Sequence, residues 1–96
     1  MKVTFHPEAA QELEEAALYY EDCQLGLGKQ LTLEIETAVN LITAFPQAWT
    51  IIEPPVRRVL VRRFPFGLLY TISHHDIYIL AVMHLNREPR YWKNRK

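Results

Sequence analysis

The stretch VRRVLVRRFPFGLLYTISHHDIYILAVMHL, residues 56–85, decides how the rest of the chain is read. Within it, Val56–Phe64, Phe66–Ser73 and Ile77–Leu85 are three runs rich in Val, Ile, Leu and Tyr, with a period near two. That period and those side chains predict β-strands. Phe64-Pro65-Phe66-Gly67 and Ser73-His74-His75-Asp76 separate the runs, and links so short join antiparallel neighbours. From Ile77 to Met83 both faces are apolar apart from Tyr78, which predicts a central strand covered on both sides.

Upstream the period changes to that of a helix. Ala9, Ala10, Leu13, Ala16, Ala17 and Tyr20 recur at three- and four-residue spacing, with Glu8, Glu12, Glu15 and Asp22 largely off that stripe. Pro7 suits the first turn, where its missing N–H costs nothing, and Glu8 suits the positive end of the helix dipole. Leu25-Gly26-Leu27-Gly28 breaks the pattern, and either glycine can take the left-handed conformation of a helix end. A second stripe follows in Leu31, Ile35, Ala38, Ile42 and Phe45, stopped by Pro46. So short a link predicts an antiparallel helical hairpin. Lys2–Phe5 reads as a first strand, Gln47–Pro55 as a loop anchored by Trp49, Ile51 and Ile52, and Glu88 onward as a helical turn or tail. The expected architecture is α+β, in the order β-α-α-β-β-β: one domain over residues 1–96, with a helical hairpin on a small, mainly antiparallel sheet.

Composition narrows the function. Hydrophobic residues make up 49% of the 96, enough for a packed core. No apolar run is long enough to span a membrane, and the beginning of the chain lacks the apolar stretch of a secretory signal. Cys23 is the one cysteine, so no disulfide framework is expected and a reducing cytoplasm fits. The net charge of zero hides an asymmetry: two basic against eight acidic residues over 1–48, net −6, and nine against three over 49–96, net +6. A basic half attracts nucleic acid or an acidic protein surface; alternatively the two halves neutralise each other across the fold. The four histidines show no metal-ligand spacing and Gly26-Leu27-Gly28 no phosphate loop, so no cofactor or metal is expected.

Four passages in order resemble a known family: Phe5-His6-Pro7-Glu8-Ala9; Leu25-Gly26-Leu27-Gly28; Val56-Arg57-Arg58 through Arg62-Arg63-Phe64-Pro65-Phe66; and His84 with Arg87, Pro89, Arg90, Tyr91 and Trp92. Together they look like ParE-type members of the RelE/ParE toxin superfamily, often labelled plasmid stabilisation proteins. The resemblance implies the toxin of a type II toxin–antitoxin pair, silenced by a cognate antitoxin in a heterotetramer or higher assembly. ParE-type members are associated with poisoning DNA gyrase, whereas RelE-type members cut mRNA at the ribosome.

The two activities ask for different residues. RNA cleavage needs a base, a proton donor and cations for the phosphate; the candidates are Arg58, Arg62, His84, Arg87 and Tyr91. Arg58 and Arg62, four apart on one strand, would share a face, with Arg57 and Arg63 on the other. Gly67 and Leu85 stand where RelE-type ribonucleases resemble one another in carrying arginine, which leaves that set incomplete. His84 reads first as a core or rim histidine bonded to backbone, with a general base as the sharper alternative, and His74 and His75 read as solvated turn residues. The favoured expectation is therefore a non-enzymatic toxin contacting its target or antitoxin through Arg57, Arg58, Arg62, Arg63, Phe64, Phe66, Arg87, Tyr91 and Trp92. Endoribonuclease activity on mRNA at the ribosome is the alternative, and a folded copy without toxicity a third.

Overall fold

The computed structural model describes residues 1–95. Its elements run β1 (Val3–Phe5), α1 (Pro7–Cys23), α2 (Leu27–Ala44), β2 (Thr50–Glu53), β3 (Val56–Leu60), β4 (Phe66–Ser73) and β5 (Asp76–His84). The five strands form one sheet in the order β1-β5-β4-β3-β2. All pairings are antiparallel except β1 with β5, which is parallel. This is the expected α+β arrangement with β5 inside the sheet.

Local chemistry accounts for the helical hairpin. His6 caps α1 by accepting the Glu8 N–H at Nδ1, and Pro7 fills the first turn. Gly26 takes φ 86° between the helices, a conformation open to glycine at no steric cost. The Glu21 carboxylate then accepts the N–H groups of both Gly26 and Gly28, which caps α2. At Gly28 the helices cross so closely that a Cβ would lie 2.3 Å from the Ala17 carbonyl oxygen. Leu31, Ile35, Ala38 and Ile42 face the sheet and are buried, packing on Val59, Leu68, Tyr70, Ile77, Ile79 and Val82. Phe45 departs from the expected stripe: it ends α2 and is exposed. Ile35→Ala should cost about 2–5 kcal/mol, read as a lowered urea midpoint with an unchanged slope.

Two expectations for the strands need correcting. Gln47–Pro55 is not all loop, because Thr50–Glu53 pairs with β3 as an edge strand. Its apolar residues show no alternation, and Ile51 is exposed, so only the neighbouring ladder defines it. The run from Val56 is a regular strand only to Leu60. Arg63 has φ 71°, and the chain bends over Arg62–Pro65 while Val61 and Phe64 still reach the core. Arg62 therefore stands on a bend beyond the strand, and period two does not place it on the face of Arg58. The β4–β5 turn is tight: His74 and His75 both have positive φ and are exposed, as a two-residue hairpin turn requires.

Candidate functional site

The sheet buries both faces in different ways. The helical hairpin covers one. On the other, Val56, Leu69, Leu80, Ala81 and Met83 pack around Trp92, itself 3% exposed. The register slips between Leu69 and Tyr70 opposite Ala81 and Ile79, and the extra residue, Leu80, joins this second cluster. The segment 88–95 is thus a lid on the sheet rather than a loose tail. Trp92 Nε1 donates to the Pro89 carbonyl within it, and at one end Arg90 and Lys93 pair with Glu53 of β2 at 3.1 and 3.0 Å.

The other end is held by Glu12 on α1. β1 pairs with β5 only as far as Phe5 opposite Ile79, so the main chain of β5 beyond that point lacks a strand on that side. Side chains take its place. Glu12 Oε1 accepts the Val82 N–H at 3.0 Å, and Arg95 Nη1 donates to the Leu80 carbonyl at 3.2 Å. Arg95 also binds both Glu12 oxygens, at 2.8 and 2.9 Å, and Tyr91 donates its hydroxyl to Glu12 at 2.6 Å. Arg87 stacks over the Tyr91 ring at 3.9 Å and approaches Glu12 at 3.6 Å. Burial alone would raise the Glu12 carboxyl, but bonds from Arg95, Tyr91 and the Val82 N–H outweigh it and hold it below its ordinary value. Burial and the bond to Glu12 push the Tyr91 hydroxyl well upward, which makes it a poor proton acceptor near neutrality.

Each expected contact residue can now be placed. Arg57 donates to the carbonyls of Gln47 and Trp49, and Arg63 to the side chain of Gln30. Arg87 and Tyr91 belong to the Glu12 cluster. Phe64, Phe66 and Trp92 lie inside the protein, with Phe64 and Phe66 edge-on to Tyr20; the expected surface of aromatic anchors is core instead. His84 is half-buried on the rim, where Nδ1 accepts the Asn86 N–H at 3.1 Å and the ring meets Phe66 edge-on. The side chains of Arg58 and Arg62 differ from these, making no hydrogen bond or ion pair among the described residues. The Arg58 stem lies along Gly67, where a Cβ would meet Arg58 Cγ and Cδ at 3.3 Å and Leu85 Cδ2 at 3.6 Å. The two positions expected to carry arginine in a ribonuclease thus flank Arg58 with a bare backbone and an apolar side chain.

Arg58 is on β3, two strands away from β5, while Arg87 and Tyr91 sit at the β5 edge facing α1. The clamp on Tyr91 was missed from sequence because Glu12, 79 residues away, reads only as a polar position of an amphipathic helix. No group of three His, Cys, Asp or Glu side chains among the described residues is placed to hold a metal. None of the described helices is long and apolar enough to cross a membrane.

A hairpin on a five-stranded sheet, with a basic strand and a clamped lid, makes this a compact α+β domain. Residues 3–89 match the family model described as ParE toxin of type II toxin-antitoxin system, parDE. The chain belongs to that family, and is a ParE toxin of a type II toxin–antitoxin system. Among solved structures, nine chains match. One of them, described as a chromosomal ParDE TA system from P. aeruginosa, superposes with a TM-score of 0.65 at 21% identity, covering 90% of this chain and 97% of that one. At that identity the likeness concerns the fold. A search of curated proteins finds no match.

Proposed function

We propose that this ParE toxin inhibits growth without catalysis, by binding a protein target through Arg58 and Arg62, with DNA gyrase as the leading target and a cognate antitoxin as its silencer in the cytoplasm. The observation that carries the reading is the division of the cations. Arg57, Arg63, Arg87, Arg90, Lys93 and Arg95 are engaged within the fold, whereas Arg58 and Arg62 are unpaired among the described residues. Only Arg87 and Arg95 reach carboxylates of the acidic half, Glu12 and Glu8, while Arg57 and Arg63 bond to uncharged acceptors, so much of the charge asymmetry stays unneutralised, with Arg58 and Arg62 among its unpaired cations. The ribonuclease alternative finds its tyrosine bonded to a carboxylate and its arginine positions filled by Gly67 and Leu85.

Expression without antitoxin tests this directly, with DNA and protein synthesis followed separately over the first minutes. Early arrest of DNA synthesis is expected. Early arrest of translation with cleaved transcripts would overturn the reading in favour of the ribonuclease. Tyr91→Phe removes only the hydroxyl held by Glu12, so it should leave the toxin active, while a ribonuclease would lose its activity. Arg58→Ala and Arg62→Ala should each weaken target binding by about 2–5 kcal/mol where the arginine becomes buried against a carboxylate, measured as the inducer dose needed to stop growth.

A further inference from the structure

We infer that β1 is a self-association edge: two copies of the chain pair their Val3–Phe5 strands antiparallel about a two-fold axis at Thr4, joining two five-stranded sheets edge to edge. β1 lies at the end of the sheet and pairs on one side only, parallel to β5. The Ile77 N–H reaches the Lys2 carbonyl and the His6 N–H reaches the Ile79 carbonyl, both at 2.8 Å. Successive residues of a strand turn their backbone groups to opposite sides, so Thr4 also faces β5, while the N–H and C=O of Val3 and Phe5 point away from it. Edge groups of this kind are a template for another strand. Beside them the half-buried side chains of Val3 and Phe5 border a groove of about 350 Å³, floored by Leu13, Ile35 and Val39. The opposite edge, β2, is guarded: its register slips, Glu53 is engaged by Arg90 and Lys93, and Pro54-Pro55 follows. Beyond Phe5, Glu12 and Arg95 occupy the edge of β5, which leaves β1 as the open stretch.

A second copy satisfies this edge in one register. With Thr4 opposite the partner's Thr4, Val3 stands opposite the partner's Phe5, and each such pair exchanges both N–H···O bonds. The groups that pair are those turned outward in the single chain. Val3 and Phe5 also share a face, so the same register brings their side chains together on the helical side and merges the two grooves. Charge fits as well. The Lys2 side chain, which forms no ion pair among the described residues, stands opposite the partner's His6, two residues before the partner's Glu8. The Glu8 side chain is 62% exposed and meets Arg95 Nε through one oxygen at 3.3 Å, which leaves room for an ammonium. The two-fold axis makes that contact twice. Arg58 stays uncovered in both copies, because β3 lies on the far side of β5 and β4 from this edge. An interface of one short ladder and a groove falls below the about 1,200 Å² of stable complexes, so a dissociation constant of about 0.1–1 mM is expected.

The test is sedimentation velocity of the full chain over about 0.01–2 mM, in reductant because Cys23 is exposed, with amide exchange followed by NMR in the same samples. Reversible dimerisation is expected. Exchange at Val3 and Phe5 should slow as concentration rises, while Thr4, already bonded within the sheet, stays unchanged. Lys2→Glu and Glu8→Lys each set like charges against one another at both contacts, so either chain alone should dimerise about tenfold more weakly or worse. Mixed one to one, the two variants should recover a heterodimer, because opposite charges then meet at both contacts. That recovery also shows that both variants are folded. A chain that stays monomeric throughout, a dimer that neither variant weakens, or dimerisation without slowing at Val3 and Phe5 would each overturn the inference. So would a monomer in which these two amides slow only when an alternating Val-Lys peptide is added, since the edge would then belong to a different polypeptide.

Discussion

Replacing Glu12 by Ala is expected to lower stability by about 3–5 kcal/mol, the range for breaking a buried ion pair from one side. The Glu12 side chain is 12% exposed and that of Arg95 9%. Removal leaves the Tyr91 hydroxyl and the Val82 N–H without their acceptor and the Arg95 guanidinium with Glu8 and the Leu80 carbonyl in place of its bidentate partner, and unmet buried partners cost more than the pair itself contributes. Against a total of about 5–15 kcal/mol for a domain of ordinary stability, such a loss leaves little. Urea unfolding followed by circular dichroism checks it; a midpoint within error of the parent would show that the cluster is dispensable. The same carboxylate gives a pH signature. Its native pKa lies below the ordinary 4.5, so its contribution is fully present above that value and is lost as pH falls through the lower native one. Glu12→Gln should flatten stability against pH in that acidic window.

Trp92→Ala should cost a similar amount, about 3–5 kcal/mol, since a large buried side chain leaves a cavity that its surroundings refill only in part. The indole fills the space over Val56, Leu69, Leu80, Ala81 and Met83, with Ile52, Tyr78 and Tyr91 packed against the same cluster. Trp49, the other tryptophan, remains as a fluorescence reporter of global unfolding. Because Trp92 and Glu12 fix the same segment, the two losses should not add. A double-mutant cycle is expected to show coupling of about 0.5–3 kcal/mol, whereas distant independent sites add within a few tenths. Strict additivity would mean that the lid is held at two unconnected points.

Much of this architecture could be read from residues alone. The stripe Leu31, Ile35, Ala38 and Ile42 marks the buried face of α2, and Pro7 and Gly26 mark where helices start and part, because local sterics act within a few residues. The two-sided apolarity of Ile77–Met83 placed β5 inside the sheet. β2 escaped because an edge strand buries little and keeps no alternation; its hydrogen bonds with β3 alone make it a strand. The end of β3 escaped because Val61 and Phe64 remain apolar and buried after Arg63 has turned the chain.

The candidate site was less legible. Nine residues were expected to face a partner on residue type, and type does not say whether an arginine or aromatic is already engaged. Phe64, Phe66 and Trp92 turned inward, Arg57 and Arg63 found acceptors in the fold, and Arg87 and Tyr91 were drawn to Glu12. The sequence by itself determined the helical hairpin, the strands' alternation and the separation of acidic from basic halves, all consequences of short-range periodicity and composition. Only the tertiary structure decided which opposite charges meet. Arg95 and Glu12 lie 83 residues apart, and their meeting depends on β1 ending at Phe5 and leaving the edge of β5 to be closed by side chains.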